Sequence, residues 1–297
     1  MNAQALAAAL RAPQPPLLLH VLPAEHFAAR RIADAKNACV YEMTFVDQVR
    51  TLAPDPAQPV VVYGEGEPSL DSAEAALQLQ RAGYIAVTDF RGGLREWEAA
   101  GQPIASDAAL PEPPRLTGHY RVDPAASTIR WTGRNLFNHH AGHVSLGSGE
   151  IELLDGVLRR ARFTIDLGSI VCEDLTNPDV HAVLIRHLRS NDFFAADEYP
   201  TALFETERLE PIEAASQGTP NYRIIGDFTL RGVTHEITFP AVIAAADADH
   251  LTAQAQIEID RTRWGSHYGS GKFFAYLGKH VVNDHIALHL KIQAVRA

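Results

Sequence analysis

One stretch decides the fold of the second half of the chain: His187-Leu188-Arg189-Ser190-Asn191-Asp192-Phe193-Phe194, followed after four residues by Tyr199-Pro200-Thr201-Ala202-Leu203-Phe204. It carries two adjacent phenylalanines after a helix-like segment, and then a strand-like apolar segment. Such a change of pattern indicates a helix that ends at a turn and a strand that begins beyond it. We therefore expect Phe193 and Phe194 to lie at this turn, where they can plug or gate one end of a barrel.

Alternation of apolar and polar side chains recurs through the second half of the chain. This period of two is typical of antiparallel strands that have one buried and one solvated face. The alternating segments are residues 128–132, 149–154, 161–167, 222–228, 235–239, 253–259 and 285–292. Residues 179–188 form the one clear helix of this half. About eight strands at this spacing most economically close into a barrel, because closure removes exposed edges. The predicted fold is an all-β antiparallel barrel with one helix.

The first half of the chain alternates strand-like and helix-like segments. Its continuous apolar runs are residues 17–21, 59–63 and 87–90. Such runs suit strands that are buried on both faces of a parallel sheet. Residues 72–83 have helical spacing, with Ser72 and Gly83 at suitable cap positions. These segments predict an α/β domain of about 100 residues, with a parallel sheet and flanking helices.

A proline-rich segment separates the two halves. Residues 102–114 are rich in proline and small side chains and have no helical or strand periodicity. Proline restricts its neighbours and removes backbone donors, so the segment is typical of a semi-rigid linker. We place the boundary near Pro111. The predicted division is a first domain over residues 1–105, a linker over residues 106–116 and a barrel domain over residues 117–297.

The composition is that of a globular protein. The 297 residues carry a formal net charge of −10, and 46% of them are hydrophobic. A nucleic-acid-binding protein usually has a basic face, so the charge argues against nucleic acid as a partner. No apolar run reaches the length of a membrane span, and the first residues resemble a helix rather than a signal peptide. We therefore predict a cytoplasmic protein.

The first half resembles a rhodanese-like domain over about residues 5–105. The resemblance is carried by the opening strand and turn at residues 17–27, the strand, loop and helix at residues 60–76, and the turn and helix at residues 91–97. In that family a nucleophilic cysteine directly follows the central strand, and loop N–H groups stabilise its thiolate or a bound anion. The matching position here is Gly64, and an acidic position common in the first strand is occupied by His20.

The loop of residues 64–71 is poorly suited to sulfur transfer. It holds three acidic residues, no basic residue and no cysteine. Acidic side chains in an anion cradle would repel thiosulfate or phosphate. No base is identifiable beside Ser69, so this hydroxyl is not a predicted nucleophile. We expect the domain to be kept for docking or stability, since a fold alone does not fix a function. The alternative is an enzyme of sulfur or stress metabolism that uses Cys39 or a His-bound metal.

The second half resembles the YceI-like family over about residues 117–295. The matching blocks are residues 131–134, 140–146, 148–151, 187–194, 199–204, 226–234, 260–265, 269–274 and 282–286. The resemblance implies a lipocalin-like, elongated barrel that binds polyisoprenoid or similar amphiphiles. A barrel of this size either fills itself with side chains or encloses one cavity. A polyprenyl chain would need a dry cavity, because each buried CH₂ contributes only about 0.8 kcal/mol.

The predicted ligand-binding residues are aromatic side chains for the barrel wall and arginines for a polar head group at its mouth. They are Trp131, Arg134, Phe193, Phe194, Phe204, Phe228, Arg261, Phe273 and Phe274, with Phe239 and Arg263 as further candidates of the same types. Most of the phenylalanines are equally consistent with an ordinary barrel core. Arg261 is equally consistent with a structural pairing to Asp260 or Asp284.

Histidine is concentrated in the second half, where 12 of the 14 histidines lie. The candidates for metal binding are His139, His140, His143 and His187. A zinc site needs three or four converging ligands, which a sequence cannot demonstrate, so no metal or other cofactor is predicted. His140 and His187 match positions that often hold histidine in the YceI-like family. That match implies a shared structural role, such as a hydrogen bond across the barrel end.

The sequence therefore predicts a non-catalytic binding protein. Its barrel would hold an isoprenoid, quinone-like or other amphiphilic ligand, and its rhodanese-like domain could recruit a protein partner. A third alternative is a purely structural fusion whose barrel is packed solid.

Overall fold

The computed structural model describes residues 1–110, 112, 116–155 and 157–297. The chain divides into two compact units, Met1–Glu112 and Pro113–Ala297, called here the α/β unit and the barrel unit. The boundary predicted at Pro111 and residues 113–115 of the predicted linker lie outside the described residues. Within the described ranges, no helix is long and apolar enough to cross a membrane. The cytoplasmic location stays a prediction.

The α/β unit is built on a four-stranded parallel sheet with the strand order β2-β1-β3-β4. Its strands are β1 (Leu17–His20), β2 (Lys36–Asn37), β3 (Val60–Tyr63) and β4 (Val87–Asp89). Its helices are α1 (Ala3–Leu10), α2 (Ala24–Ala29), α3 (Phe45–Leu52), α4 (Asp71–Arg81) and α5 (Gly93–Ala99). The predicted α/β class is confirmed.

Both faces of this sheet are buried, which explains the continuous apolar runs of its strands. Val60 and Val62 of β3 pack against α3 and α4 in one hydrophobic cluster. Val61 and Tyr63, which point to the other face, pack against α1 and α5 in a second cluster. A strand buried on both faces loses the polar alternation that would mark one side as solvated.

The start of α4 differs from the prediction. Ser72 was expected to cap the helix, but α4 begins at Asp71, and its N-cap residue, Leu70, makes no side-chain cap hydrogen bond. The Asp71 carboxylate accepts the Ser72 N–H itself, at 2.6 Å. The cap prediction is therefore wrong at Ser72. Gly83 follows the helix with a φ of +97°, as the prediction of a terminal glycine requires.

The barrel unit is a closed antiparallel barrel. Its strands are β5 (Gly118–Val122), β6 (Thr128–Arg134), β7 (His139–Leu154), β8 (Val157–Cys172), β9 (Thr201–Pro211), β10 (Tyr222–Leu230), β11 (Val233–Ala245), β12 (His250–Asp260) and β13 (His285–Arg296). Strands β6 to β13 pair in chain order, and β13 pairs back with β6 to close the ring. β5 extends the position of β6, because it also pairs with β7 and β13. The predicted barrel is confirmed.

Two hydrophobic clusters occupy the two ends of the barrel. One is formed by side chains near β5, including Tyr120, Ile151 and Ala294, and is called the closed-end cluster. The other surrounds Phe193 and Trp264 at the opposite end and contains many of the side chains that face the cavity described below. Because successive side chains of a strand alternate between its two faces, one strand supplies residues to the interior only at every second position.

The helix predicted over residues 179–188 is α6 (Pro178–Arg189). The side chain of Asn177 accepts the N–H groups of Asp179 and Val180 at 3.0 and 3.2 Å, and Pro178 occupies the first helical position. These contacts satisfy donors that no residue within the helix can reach. The Asn177 side chain and Pro178 therefore determine where α6 begins.

Replacing Asn177 with alanine is expected to lower the local stability of α6 by about 1 kcal/mol, which corresponds to about fivefold faster amide exchange in its first turn. Hydrogen exchange followed by mass spectrometry measures this change directly. Asn191→Ala is the matched control, because Asn191 is exposed and its side chain makes no hydrogen bond within the described residues. Equal exchange in the two variants would show that the cap does not hold the helix start.

Candidate functional site

A cavity of about 310 Å³ opens inside the barrel unit. Its inner wall is apolar and is formed by side chains from strands β6, β7, β8 and β13, including Ile129, Val144, Ile165, Ile286 and Leu288. Leu184 of α6 also contributes, so the helix forms part of the wall. Ligand pockets commonly span about 300–1,000 Å³, and this cavity lies at the lower end of that range.

One end of the cavity is polar and is called the mouth, defined by Arg134, Asn135, Tyr268, Val282 and Asn283. The mouth lies where the end of β6 meets the residues before β13, since the Asn283 N–H donates to the Arg134 carbonyl at 2.8 Å. Asn135 and Val282 also form a bridge. An apolar interior with a polar mouth suits an elongated molecule that has one polar end.

The structure brings six of the nine predicted ligand-binding residues to the cavity lining: Trp131, Arg134, Phe193, Phe194, Phe228 and Arg261. Trp131 is buried, and its Nε1 has no hydrogen-bond partner in the described residues. Such an unsatisfied buried donor is uncommon in a folded protein. A polar group of a bound ligand is one way to satisfy it.

Phe193 and Phe194 follow α6 directly, as the sequence led us to expect. The Phe193 ring contacts His187 edge-on at 4.9 Å and lies 5.5 Å from the Tyr268 ring, measured between centroids. The Arg261 guanidinium stands 5.4 Å from its centroid. Phe193 therefore joins the helix end to the mouth, the position in which a plug or gate would act.

The other three predicted aromatic residues lie outside the cavity lining. Phe204 is buried in the barrel core, where it stacks on Phe163 at 6.3 Å and contacts Phe239 at 5.7 Å. Phe273 and Phe274 are 53% and 51% exposed. They follow a turn at Ser270, in a segment without strand alternation, so the parity that points strand residues inward does not apply to them. Their contact with a ligand stays a prediction that this geometry does not favour.

Arg261 lies at the cavity but binds the protein's own backbone. Its guanidinium donates to the carbonyl oxygens of Asn283, Ser266, Tyr268 and Val282, at 2.5–3.2 Å, and is 1% exposed. Asp284 lies 3.8 Å away. These bonds occupy four of the five N–H donors that an arginine has. Burial lowers the pKa of this guanidinium, while the carboxylates of Asp284 and Asp260 oppose that effect.

The remaining arginine candidates are nearer to solvent. Arg134 is exposed at the mouth, where its guanidinium could reach a head group. Arg263 is exposed over the ring of Trp264, at 5.1 Å from the centroid, and is not part of the cavity lining. Asp260, the other suggested partner of Arg261, instead forms an ion pair with Lys272 at 2.7 Å. Burial raises the pKa of Asp260, and hydrogen bonds from Lys272 and Thr262 outweigh this and lower it to about 2.

The histidine candidates fall into separate groups. His140 lines the cavity and bonds Asp174 at 2.8 Å, whereas His143 bonds Glu173 at 2.7 Å. His139 is exposed. His187 bonds Asp192 at 3.1 Å and contacts Tyr268. The four candidates therefore do not converge on one point, although His140 has other partners that are described below.

The rhodanese-like loop of residues 64–71 is filled by its own carboxylate. Asp71 is 3% exposed and accepts the N–H groups of Glu65 and Ser72 and the hydroxyl of Ser69. The Asp71 oxygens lie about 2.4 Å from where a Cβ on Gly64 would stand. A carboxylate therefore occupies the position in which N–H groups would hold an external anion.

The other two acids of this loop face arginines. Glu65 pairs with Arg30 and Arg95 at 3.6 and 3.4 Å, and Glu67 pairs with Arg91 at 3.6 Å. These partners come from elsewhere in the α/β unit, which is why the loop sequence alone suggested an uncompensated acidic cradle.

His20 and Cys39 are both buried in the α/β unit. Burial lowers the pKa of His20 to about 4, so this imidazole is neutral at neutral pH. It packs edge-on against Phe27 and Tyr63. Cys39 is 5% exposed, which leaves little of its thiol accessible to a substrate.

Sequence reasoning missed several residues at the cavity. Ile129, Ile165 and Leu288 lie at inward-facing positions of their strands. The alternation of inward-facing and outward-facing residues, extended from Trp131 and the other predicted lining residues, would have identified them. Tyr268 and Asn283 lie in the non-repetitive segment between β12 and β13. Nothing in the local pattern there indicates which side chains turn toward the barrel.

A closed antiparallel barrel that surrounds an apolar cavity, with a helix in the cavity wall, defines the class of lipocalin-like barrels. A sequence model of the YceI-like domain matches residues 120–294, and a model of the rhodanese-like domain matches residues 2–100. The chain belongs to the YceI-like family, with a rhodanese-like domain preceding the barrel. Both resemblances inferred from the sequence are confirmed.

Individual relatives match parts of the barrel unit. A UPF0312 protein of Vibrio vulnificus (strain YJ016) is 34% identical over 83 residues, which are 28% of this chain and 41% of that protein. A UPF0312 protein of Staphylococcus aureus (strain bovine RF122 / ET3-1) is 40% identical over 53 residues, which are 18% of this chain and 25% of that protein. The chain thus spans less than half of the length of these curated relatives.

Several solved structures are similar to parts of this chain. BcnA of Burkholderia cenocepacia is 21% identical, with a TM-score of 0.45 over 59% of this chain and 99% of its own. A polyisoprenoid binding domain from Saccharophagus degradans, implicated in plant cell wall breakdown, is 15% identical, with a TM-score of 0.45. The match covers 60% of this chain and 98% of that domain. The Alr3790 protein from Anabaena is 24% identical, with a TM-score of 0.32. The match covers 36% of this chain and 91% of the Alr3790 chain.

Proposed function

We propose that this protein is a non-catalytic binding protein whose barrel holds the apolar chain of an amphiphile, with the polar end of the ligand at the mouth. The observation that supports this most strongly is the cavity of about 310 Å³, apolar inside and polar at one end. An isoprenoid or quinone-like ligand, which the family resemblance implies, has this division of polarity. A barrel packed solid would leave no such space.

The apolar chain of such a ligand would supply the main favourable contribution to binding. About ten buried CH₂ groups at about 0.8 kcal/mol each supply about 8 kcal/mol, the free energy of a micromolar Kd, before the cost of immobilising the ligand. Arg134 at the mouth and the unpaired Nε1 of Trp131 in the cavity lining are donors for a carbonyl, hydroxyl or phosphate group. In this scheme the apolar chain of the ligand supplies most of the binding free energy, and its polar head group determines how the ligand is oriented in the barrel.

The rhodanese-like unit is non-catalytic in this proposal and serves docking or stability. Two observations support that assignment: Gly64 stands where the family holds its cysteine, and the Asp71 carboxylate fills the loop. The alternative enzyme based on Cys39 would need a substrate to reach a thiol that is 5% exposed.

Substituting Leu288 with tryptophan is expected to lower ligand occupancy at least tenfold, because the larger side chain fills part of the cavity that it lines. Organic extraction and mass spectrometry of protein purified from bacteria measure the occupancy. His289→Trp is the matched control, because His289 is the next residue of β13 and is exposed on the other face. Circular dichroism confirms that both variants fold.

Two results would overturn the proposal. One is wild-type protein that carries no extractable amphiphile and does not bind a fluorescent fatty-acid probe. The other is equal occupancy in folded Leu288→Trp and wild-type protein.

A further inference from the structure

The ends of strands β7 and β8 bring three metal-binding side chains together beside the cavity. His140 Nδ1 lies 2.8 Å from one Asp174 oxygen, and Cys172 Sγ lies 3.2 Å from the other. One ligand atom from each of the three side chains lies within 4.8 Å of the others. Sequence reasoning had considered His140 only with other histidines, whereas the structure adds a thiol and a carboxylate.

Strand pairing explains why these residues meet. Gly142 pairs with Cys172, so His140 lies across from Asp174 and on the same face of the sheet as Cys172. In an antiparallel pair, opposite and diagonal side chains of one face are close enough to interact. The cluster is therefore positioned by backbone pairing rather than by a mobile loop, and His140 places it at the cavity lining.

The three donors are of the types that bind zinc-class cations: an imidazole nitrogen, a thiol sulfur and a carboxylate oxygen. Tetrahedral bonds of about 2.0–2.3 Å place neighbouring ligand atoms about 3.5 Å apart. The observed separations of 2.8 and 3.2 Å from Asp174 oxygens are shorter than this by less than about 1 Å. The thiol favours Zn²⁺ over Mg²⁺ or Ca²⁺, which prefer oxygen ligands.

The surroundings of the cluster support ligation. The Ala141 N–H donates to Asp174 Oδ1 at 2.8 Å, a contact of the kind that orients ligating carboxylates. His181 Nε2 lies 3.0 Å from the Cys172 carbonyl and ties α6 to the end of β8. The Cys172 side chain is buried, but those of His140 and Asp174 are 34% and 35% exposed, which gives a cation a path of entry.

We propose that His140, Cys172 and Asp174 bind one zinc-class divalent cation at the edge of the cavity. Three protein ligands leave a fourth position for water or for an oxygen of a bound head group. The site is independent of the proposed amphiphile binding, because its three ligands are complete without any occupant of the cavity.

Titration of untagged, full-length, reduced protein with Zn²⁺ by calorimetry tests the proposal, with metal content measured after dialysis. We expect one Zn²⁺ per chain, and for Co²⁺ an absorption band from thiolate coordination. Cys172→Ser should abolish that band, and Asp174→Asn and His140→Gln should each weaken Zn²⁺ binding at least tenfold. Cys39→Ser and His143→Gln are the matched controls, because they change the other buried cysteine and the histidine that bonds Glu173.

The measurements distinguish a failed metal site from a failed amphiphile site and from a lost fold. Absence of stoichiometric Zn²⁺ binding, or Zn²⁺ binding that folded Cys172→Ser retains in full, would refute the site. Extraction of lipid from Cys172→Ser and wild-type protein is measured in parallel, so a failed metal site and a failed amphiphile site give different results. Thermal unfolding of each variant shows whether a lost site reflects a lost fold.

Discussion

Replacing Arg261 with methionine is expected to lower the free energy of unfolding of the barrel unit by about 3–5 kcal/mol. The guanidinium donates to four backbone carbonyls, all in the segment between β12 and β13: those of Ser266, Tyr268, Val282 and Asn283. Methionine has a similar apolar stem but no donors, so these carbonyls and the nearby Asp284 carboxylate would lose their buried partner. Each unsatisfied buried group costs about 1–3 kcal/mol.

Urea unfolding followed by tryptophan fluorescence measures this loss, since the Trp264 side chain is fully buried and adjoins the affected segment. Arg263→Met is the matched control. Its guanidinium is exposed, so its removal should change stability by about 0.5 kcal/mol or less. Arg261→Lys should also be destabilising, because one ammonium group cannot span carbonyls that a planar guanidinium reaches from several directions. A stable Arg261→Met variant would return Arg261 to the group of possible head-group ligands.

The second large effect is expected at Gly64, in the other unit. Gly64→Ala should lower the stability of the α/β unit by about 2–4 kcal/mol, because the new Cβ must displace the Asp71 carboxylate and its hydrogen bonds. A Cβ there would stand 2.4 Å from Asp71 oxygen and carbon atoms. Hydrogen exchange of β1 and β3, resolved by peptide, reports the change for this unit alone. Gly271→Ala is the control, since no heavy atom lies within 4 Å of its added Cβ.

A double-mutant cycle measures the free energy of the steric conflict between a Cβ at position 64 and the Asp71 carboxylate. In a chain that already carries Asp71→Ala, the cost of Gly64→Ala should fall, which gives a coupling free energy of about 1–3 kcal/mol. Gly64→Cys by itself should show no thiosulfate–cyanide sulfurtransferase activity, because its Cβ would collide with the same Asp71 carboxylate and disturb the loop that has to present the thiol. Additive effects in the cycle, or activity of the single cysteine variant, would show that Asp71 moves aside easily and that the loop is open to an anion.

The fold could be predicted because its signals are local. Alternation along Tyr222–Leu230 and the helical spacing of Pro178–Arg189 depend on residues a few positions apart, and the structure retains both. Trp131 and Phe228, which lie in alternating segments, face the barrel interior as predicted. Boundaries were less accurate where a side chain makes contacts beyond its own element. Asp71, the first residue of α4, bonds Glu65 and Ser69 of the loop, and Ser72 lies within the helix and not at its cap position.

The missing parts of the site depend on long-range pairing. Cys172 and Asp174 meet His140 only because β7 and β8 pair in one register, with irregularities such as the shift between His143 and Ser145. A strand's register cannot be read from its own sequence when bulges change the count of residues. The exposure of Phe273 and Phe274 could not be predicted for a related reason: turns determine the direction of side chains in their segment, and no periodicity indicates it.

The filling of the closed end of the barrel imposes an order on any exchange of an elongated occupant. Because Tyr120, Ile151 and Ala294 pack that end, an amphiphile of the proposed kind would enter through the mouth tail first and would leave head first. The polar end is then the last part to lose its water and the first to regain it. Selection by chain length would depend on the depth of the barrel, whereas the exchange rate would depend on groups at the mouth. Substitutions at Ile129 and at Arg134 should therefore alter two different properties, the preferred length and the residence time.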